Sequence, residues 1–157
     1  MPSEQFKESV SSLEKFFALD VCQRATKPLK EGIEIAIYVA DEGPVSLIKI
    51  ENQAKIITTA PKNPDMSFWI GPQGIKELMQ LTTSDIGEVG IAIIKLMLSK
   101  DPNTVLKAKV HIGTFSLLRN GYLGVLPLGG STVMKFLATK GFTNIGKIKD
   151  AISSLRG

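Results

Sequence analysis

The stretch Gly87–Leu98, with the sequence GEVGIAIIKLML, decides the fold of this chain. Apart from Glu88 and Lys95, it is apolar around the whole circumference of a helix, and such a helix must be buried. It is too short to cross a bilayer, which takes about 20 apolar residues. The helix therefore either fills a core or forms the wall of an apolar cavity.

Length and composition predict one soluble domain of 157 residues. Within it we expect N-terminal helices in 1–31, a core in 32–141 and an additional amphipathic helix in 142–157. The single cysteine, Cys22, excludes an internal disulfide and fits a reducing compartment. The polar N-terminus lacks the pattern of a signal peptide, and no stretch is long enough to span a membrane, so we expect a cytoplasmic protein.

Helical periodicity marks the N-terminal part. Ser3 is placed to cap a first helix whose apolar stripe is Phe6, Val10, Leu13 and Phe17. Asp20 and Gln23 resemble a capping box, which predicts that the helix bends or restarts there.

The periodicity then changes to two, which predicts strands at 32–41, 45–51, 54–59 and 66–70. The first two are separated by a turn signal, Glu42-Gly43-Pro44. Because the connections are short, and a parallel crossover needs a dozen or more residues, we expect an antiparallel meander. A fifth strand is predicted at Val105–Ile112, beyond the buried helix.

Further helices are predicted on both sides of the fifth strand. Ser84 or Asp85 is placed to cap the buried helix, and Thr114–Arg119 is typical of a helix. Gly121–Gly130 is expected to be a loop. Ser131 is expected to cap a helix that Gly141 ends.

The buried helix carries two apolar stripes, which could both be packed between a sheet and the C-terminal helices. The alternatives of plain core and cavity wall stay open for each residue. The first stripe comprises Ile86, Val89, Ile93, Leu96 and Met97, and the second comprises Ile91, Ile94 and Leu98.

The sequence offers little for catalysis or metal binding. The only histidine, His111, is predicted on the solvent face of a strand between lysines, and Cys22 on an apolar helical stripe. One histidine and one cysteine do not make a usual zinc site. The glycine-rich segments match no phosphate loop or dinucleotide fingerprint, and few aromatics are available to stack bases. We therefore expect no catalytic residue, metal, cofactor or nucleic-acid partner.

The positive charge is concentrated at the C-terminal end. Residues 131–157 hold five of the cations and one carboxylate, Asp150, which equals the whole formal excess of +4. A last helix, Asn144–Leu155, is predicted with an apolar arc flanked by Lys147, Lys149 and Arg156. Such a helix can lie on a partner protein or on an anionic membrane.

The order of elements resembles the type-2 sterol carrier protein family. The matching parts are the hairpin of Ile33–Asp41 with Val45–Glu51, the strand Asp65–Ile70 entering a helix, and the strand Leu106–Gly113 followed by a small helical segment, Thr114–Gly121. The similarity extends over about residues 18–141. The very apolar central helix and the additional C-terminal helix depart from the family pattern.

This resemblance implies an α+β fold, in which a mostly antiparallel or mixed five-stranded sheet with helices on one face encloses an apolar tunnel. It also implies non-catalytic binding or transfer of a fatty acid, acyl-coenzyme A, sterol or phospholipid. Burial contributes about 0.8 kcal/mol per methylene, so an acyl chain needs no specific motif. The residues predicted to line the tunnel are Trp69, Ile86, Val89, Ile93, Met97, Phe115, Leu118, Met134, Phe136 and Leu137.

Two other functions stay open at this stage. The chain could be a protein interaction domain with a filled interior and no ligand, whose last helix packs on a partner. A small enzyme using Tyr38 or aspartates at a cavity mouth is a more remote alternative.

Overall fold

The computed structural model describes residues 2–141, and its centre is a five-stranded sheet. Strands β1 (Glu34–Val39), β2 (Glu42–Ile50) and β3 (Gln53–Ile57) form an antiparallel meander. Strand β4 (Met66–Ile70) lies parallel to β1, and β5 (Leu106–Val110) is antiparallel to β4. The strand order is therefore β3-β2-β1-β4-β5, and the expected mixed five-stranded sheet is confirmed.

The expectation that the fourth strand simply continues the meander is wrong. Residues 58–65 carry the chain back past β2 and β1, where the Ser46 hydroxyl donates to the Thr59 carbonyl. The Lys62 amide donates to the Glu34 carboxylate at 3.3 Å. The crossover from β1 to its parallel partner contains β2 and β3, so it has the length that parallel pairing requires.

Six helices and two short 3₁₀ turns accompany the sheet in the described residues. The helices are α1 (Glu4–Ala18), α2 (Asp20–Ala25), α3 (Pro72–Met79), α4 (Ile86–Leu98), α5 (Thr114–Arg119) and α6 (Gly130–Thr139). The 3₁₀ turns, Tyr122–Gly124 and Leu126–Gly129, occupy most of the segment predicted as a loop. The amphipathic helix expected at Asn144–Leu155 lies outside the described residues.

Side-chain caps fix the starts of two helices. The Ser3 hydroxyl accepts from the Phe6 amide at 3.1 Å, as predicted for α1. Asp85 caps α4 by accepting from the Gly87 amide at 2.9 Å. The prediction that Ser131 caps α6 is wrong, because the helix already begins at Gly130 and has no side-chain cap. Gly141, with a φ of +92°, follows the end of α6 as predicted.

Gln23 does not form the predicted capping box with Asp20 but bonds to the backbone of Phe17 and Ala54. A new helix does begin at Asp20, but its N-cap is Leu19, and no side chain caps it. The Gln23 amide instead donates to the Phe17 carbonyl at 2.6 Å and to the Ala54 carbonyl at 2.9 Å. Its oxygen accepts from the Ala54 amide at 3.3 Å. Gln23 therefore occupies the free edge of β3 at Ala54, much as a neighbouring strand would.

The turn between β1 and β2 comes earlier than predicted. It is made by Ala40 and Asp41, with Ala40 at a φ of +53°, whereas Glu42-Gly43-Pro44 belongs to β2. Further along β2, Lys49 is 2 % exposed, and its ammonium donates to the Thr26 carbonyl at 2.7 Å. Burial lowers the pKa of this amine, and the bond ties the end of α2 to the sheet.

One face of the sheet, here the core face, packs against the helices. Ile35, Ile37 and Val39 belong to one cluster with Val10, Leu13 and Phe16 of α1 and with residues of α3 and α4. The opposite face, here the outer face, carries Tyr38, Ser67 and Trp69 together with Lys107 and Lys109. Cys22 is buried among the core residues, and burial raises the pKa of its thiol to about 11.

Candidate functional site

Helix α4 packs on two sides, which accounts for most of its apolar circumference, but its last residue, Leu98 of the second predicted stripe, is 50 % exposed. Val89 and Leu96 are buried in the main core, with Ile86 and Ile93 packed against them. This is the first of the two predicted stripes. Met97, which ends that stripe, is 36 % exposed.

The second stripe of α4 faces α6. Ile91 and Ile94 pack against a small separate cluster in which Val133 and Leu137 are buried and Met134 is partly buried. The two helices approach closely at Gly87, where an added Cβ atom would lie 2.8 Å from the Gly129 carbonyl oxygen. The structure thus brings Met134 and Leu137 together against α4, on the side away from the main core.

The other residues predicted to line a tunnel lie in different places. Phe136 is half-buried, with the ammonium groups of Lys95 and Lys140 5.9 Å and 5.7 Å from its ring centroid. Phe115 and Leu118 are exposed on α5, and Trp69 lies on the outer face of the sheet. The ten residues therefore do not surround one common space in the described chain, and their contact with a ligand stays a prediction.

A groove that the sequence did not indicate lies between α1 and the start of β2. It has a volume of about 770 Å³ and is open to solvent. Its apolar part is formed by Phe6, Val10, Pro44 and Val45, of which Val10 and Val45 are buried. We call this space the α1 groove. Its volume lies in the range of ligand pockets, about 300–1,000 Å³.

Charged side chains stand along the α1 groove. Three carboxylates, from Glu14, Asp41 and Glu42, line the groove together with one lysine, Lys7, whose ammonium is 3.3 Å from the Glu4 carboxylate. The Glu42 carboxylate accepts from the Ser3 amide at 3.2 Å, which ties the start of α1 to β2. The groove is thus apolar inside and has an excess of two negative charges around it.

A smaller groove, of about 300 Å³, lies at the end of β4. Trp69, Val105 and Lys107 line it together with Asp41 and Asn103. The Trp69 ring stacks on Tyr38, with centroids 5.2 Å apart. Trp69 therefore has one side of its ring against a neighbouring aromatic residue and contributes to the wall of a shallow space.

The structure also contains two polar clusters that the sequence did not indicate. The Asp65 carboxylate accepts from the Tyr122 hydroxyl at 2.9 Å and from the Asn120 amide at 3.0 Å. Burial, reinforced by the hydrogen bond to Asp65, raises the pKa of the Tyr122 hydroxyl well above its usual range. This cluster joins the beginning of β4 to the segment after α5.

The second cluster is a pair on the outer face. The Ser67 hydroxyl and the His111 Nε2 atom are 2.7 Å apart, with Ser67 buried and His111 exposed as expected. Neither residue lines either groove. Among residues 2–141, no group of three or more histidine, cysteine or carboxylate side chains is placed to hold a metal ion. Within the same range, no helix is both long and apolar enough to cross a bilayer.

Comparisons with known proteins find similarity only among solved structures, where two chains match. No family model and no curated protein matches the sequence. A solved structure described as a UbiJ-SCP2 ubiquinone synthesis protein aligns with 82 % of this chain and 95 % of its own. The two are 12 % identical, and the TM-score is 0.43. The α+β architecture itself is given by the strand pairing described above.

Proposed function

We propose that the protein binds an uncharged, lipid-like molecule in the α1 groove and performs no chemistry on it. The observation that carries this proposal is the groove itself, with its volume of about 770 Å³ and its apolar lining of Phe6, Val10, Pro44 and Val45. Burial of each methylene there contributes about 0.8 kcal/mol, which is enough to hold a chain or ring system without a specific motif.

The charges around the groove favour one class of lipid. Glu14, Asp41 and Glu42 outnumber Lys7, so the local potential is negative. A fatty acid carboxylate or the phosphates of acyl-coenzyme A would be repelled, whereas a sterol or another lipid with a neutral polar end would not. Of the ligands that the family resemblance implies, a sterol therefore fits this groove best.

Binding without catalysis is supported by the positions of the reactive side chains. The close Ser67–His111 pair lies on the outer face and lines neither groove, and Cys22 is buried with a raised thiol pKa. A nucleophile needs both activation and access to its substrate. We therefore propose a carrier or binding role for the protein.

The proposal is tested by loading the protein with a fluorescent sterol and, separately, with a fluorescent fatty acid. Native mass spectrometry of the purified protein, followed by organic extraction, identifies any lipid that copurifies. Ser11→Trp and Thr58→Trp place a large ring at the edge of the groove from exposed positions. We expect either substitution to reduce sterol uptake at least tenfold.

Gln5→Trp is the matched control, because Gln5 is exposed on α1 and does not line the groove. Equal uptake by the control and by the groove variants would contradict the site. Stronger binding of the fatty acid than of the sterol would contradict the ligand class.

A second candidate function is an interaction domain without a ligand. It is favoured by the packing of α4, because most of the first stripe lies in the main core and Ile91 and Ile94 of the second stripe pack against α6. This alternative predicts a ligand-free mass, no uptake of either probe and a stable oligomer.

A further inference from the structure

We infer that the protein docks on anionic lipid bilayers through one side of α5, formed by Phe115, Leu118 and Arg119. We call this surface the α5 face. Phe115 is 73 % exposed and Leu118 is 60 % exposed, more than any other large apolar side chain described. Because they are three residues apart in a helix, they project from the same side.

The α5 face is held in place by contacts on the other side of the helix. Leu117 is 1 % exposed and anchors α5 in the protein. Next to the helix, the Asn120 side chain donates to Asp65, and the Asn120 carbonyl accepts from the Lys30 amide at 2.9 Å. The exposed apolar side chains are therefore presented by a fixed helix and are not at the tip of a loose loop.

The distribution of charge along the chain favours an anionic surface as the partner of α5. Residues 1–88 contain nine lysines and arginines and thirteen carboxylates, a balance of −4. Residues 89–141 contain seven lysines and arginines and the single carboxylate of Asp101, a balance of +6. Helix α5 belongs to this basic segment, and basic groups attract an anionic surface over a Debye length of about 8–10 Å.

One cation lies against the α5 face itself, and two more are exposed in segments next to α5. The Arg119 guanidinium is 5.8 Å from the centroid of the Phe115 ring. Lys109 is exposed on β5 shortly before the helix, and Lys30 is exposed beside Asn120. Side chains of this kind place their charge at the lipid headgroups while apolar neighbours enter the interface.

The nearby carboxylates are engaged with other groups. Asp65 accepts from Tyr122 and Asn120. Glu31 accepts from the backbone amides of Glu51 and Asn52. Because these donors are neutral, Asp65 and Glu31 keep their negative charges and oppose the attraction of the α5 face for anionic lipid, and the cations Arg119, Lys30 and Lys109 outnumber them.

A bilayer fits this surface better than a second copy of the chain does. A symmetric contact through α5 would bring the Arg119 cations of both copies into one interface. Two exposed apolar side chains also provide much less area than the roughly 800 Å² per partner of a stable protein interface. An anionic bilayer supplies both the complementary charge and the apolar layer.

The experiment measures cosedimentation of the full chain with vesicles of phosphatidylcholine containing about 30 % phosphatidylglycerol, which carry a negative surface potential. Pure phosphatidylcholine vesicles are the neutral comparison. We expect binding to the anionic vesicles only, and a loss of at least about tenfold in the partition coefficient for Phe115→Ala/Leu118→Ala. Added salt should weaken binding further.

The double variant Leu19→Ala/Ile50→Ala is the matched control, since both residues are exposed apolar side chains outside residues 89–141, at 43 % and 44 %. It should bind as the unchanged protein does. The variant Lys147→Gln/Lys149→Gln/Arg156→Gln tests the C-terminal cations separately. Loss of binding in this variant, with normal binding by the α5 double variant, would overturn the inference.

A thiol-reactive, environment-sensitive dye on Leu118→Cys gives a local signal. The native Cys22 is buried with a raised thiol pKa, so the dye reports position 118 alone. We expect a blue shift on addition of anionic vesicles and none for a dye on Leu19→Cys. Absence of vesicle binding, or a dimer that becomes monomeric in the α5 double variant, would also overturn the inference. Sterol uptake by the α1 groove is a separate measurement and is unaffected by either result.

Discussion

The indole of Trp69 stacks on the phenol ring of Tyr38, with the ring planes inclined by only 5° and the centroids 5.2 Å apart. The two residues are opposite each other in the parallel pair of β1 and β4. The stack therefore joins β4 to β1 on the outer face of the sheet.

Tyr38→Ala should remove this support and expose the indole. Because Trp69 is the only tryptophan, its emission reports the site directly, and we expect a shift to longer wavelength. The loss of stacking and of buried area should lower the free energy of unfolding by about 1–2 kcal/mol. Urea unfolding followed by fluorescence and circular dichroism measures both effects. An unchanged emission maximum would show that the stack does not shield Trp69.

Gly87→Ala should weaken the packing of α6 on α4. The added Cβ atom would lie 2.8 Å from the Gly129 carbonyl oxygen and 3.1 Å from the Thr132 Cβ atom, so the two helices would have to separate. We expect a loss of about 1–3 kcal/mol. Gly90→Ala is the comparison, because its Cβ atom would meet only the Val133 Cγ2 atom, at 3.3 Å. Its gain in helix propensity, about 1 kcal/mol, should make it neutral or stabilising. Equal losses in thermal unfolding would count against the close approach at Gly87.

Leu137→Ala should loosen α6 without loosening the sheet. Leu137 is 7 % exposed and belongs to the small cluster between α4 and α6, which is separate from the main core. Hydrogen exchange should become faster in Gly130–Thr139 while β1 and β4 keep their protection. Leu96→Ala, in the main core, should instead cost about 2–5 kcal/mol and accelerate exchange throughout the domain. Uniform acceleration in both variants would mean that the two clusters unfold as one unit.

Tyr122→Phe should flatten the loss of stability at alkaline pH. The folded-state pKa of the Tyr122 hydroxyl is raised, so the unfolded chain releases this proton first. Stability from this group is therefore complete below the usual tyrosine pKa, about 10, and falls as the pH rises above it. The variant also loses one hydrogen bond, which should cost about 1 kcal/mol at neutral pH. Urea unfolding between pH 8 and pH 11 compares the slopes, and parallel slopes would contradict the prediction.

The central part of the fold could be predicted because its signals are local. The two stripes of α4 are visible in the spacing of its apolar residues, and the structure buries Val89 in the main core and packs the partly buried Ile94 against α6. The Ser3 cap and the strand alternation of Met66, Phe68 and Ile70 are equally local.

What could not be predicted depends on distant partners. The position of β4 beside β1 depends on pairing between residues far apart in the chain, such as Ile37 opposite Phe68, which no short sequence pattern reveals. The α1 groove likewise combines Phe6 and Val10 with Pro44 and Thr58, which come from separate parts of the chain. A turn signal at Glu42-Gly43-Pro44 was misleading because Gly and Pro are also accommodated within β2, next to the real turn.

The side chain of Gln23 has a consequence for aggregation. A free sheet edge offers unpaired peptide groups to any other exposed strand, and this is how fibrils begin to grow. At Ala54 both edge groups are already occupied by one glutamine amide. The apolar sequence of the neighbouring residues Ile56 and Ile57 would otherwise suit strand addition. A single polar side chain on α2 thus blocks strand addition at one point of the β3 edge, and Gln23→Leu should raise the rate of self-association, measured by light scattering.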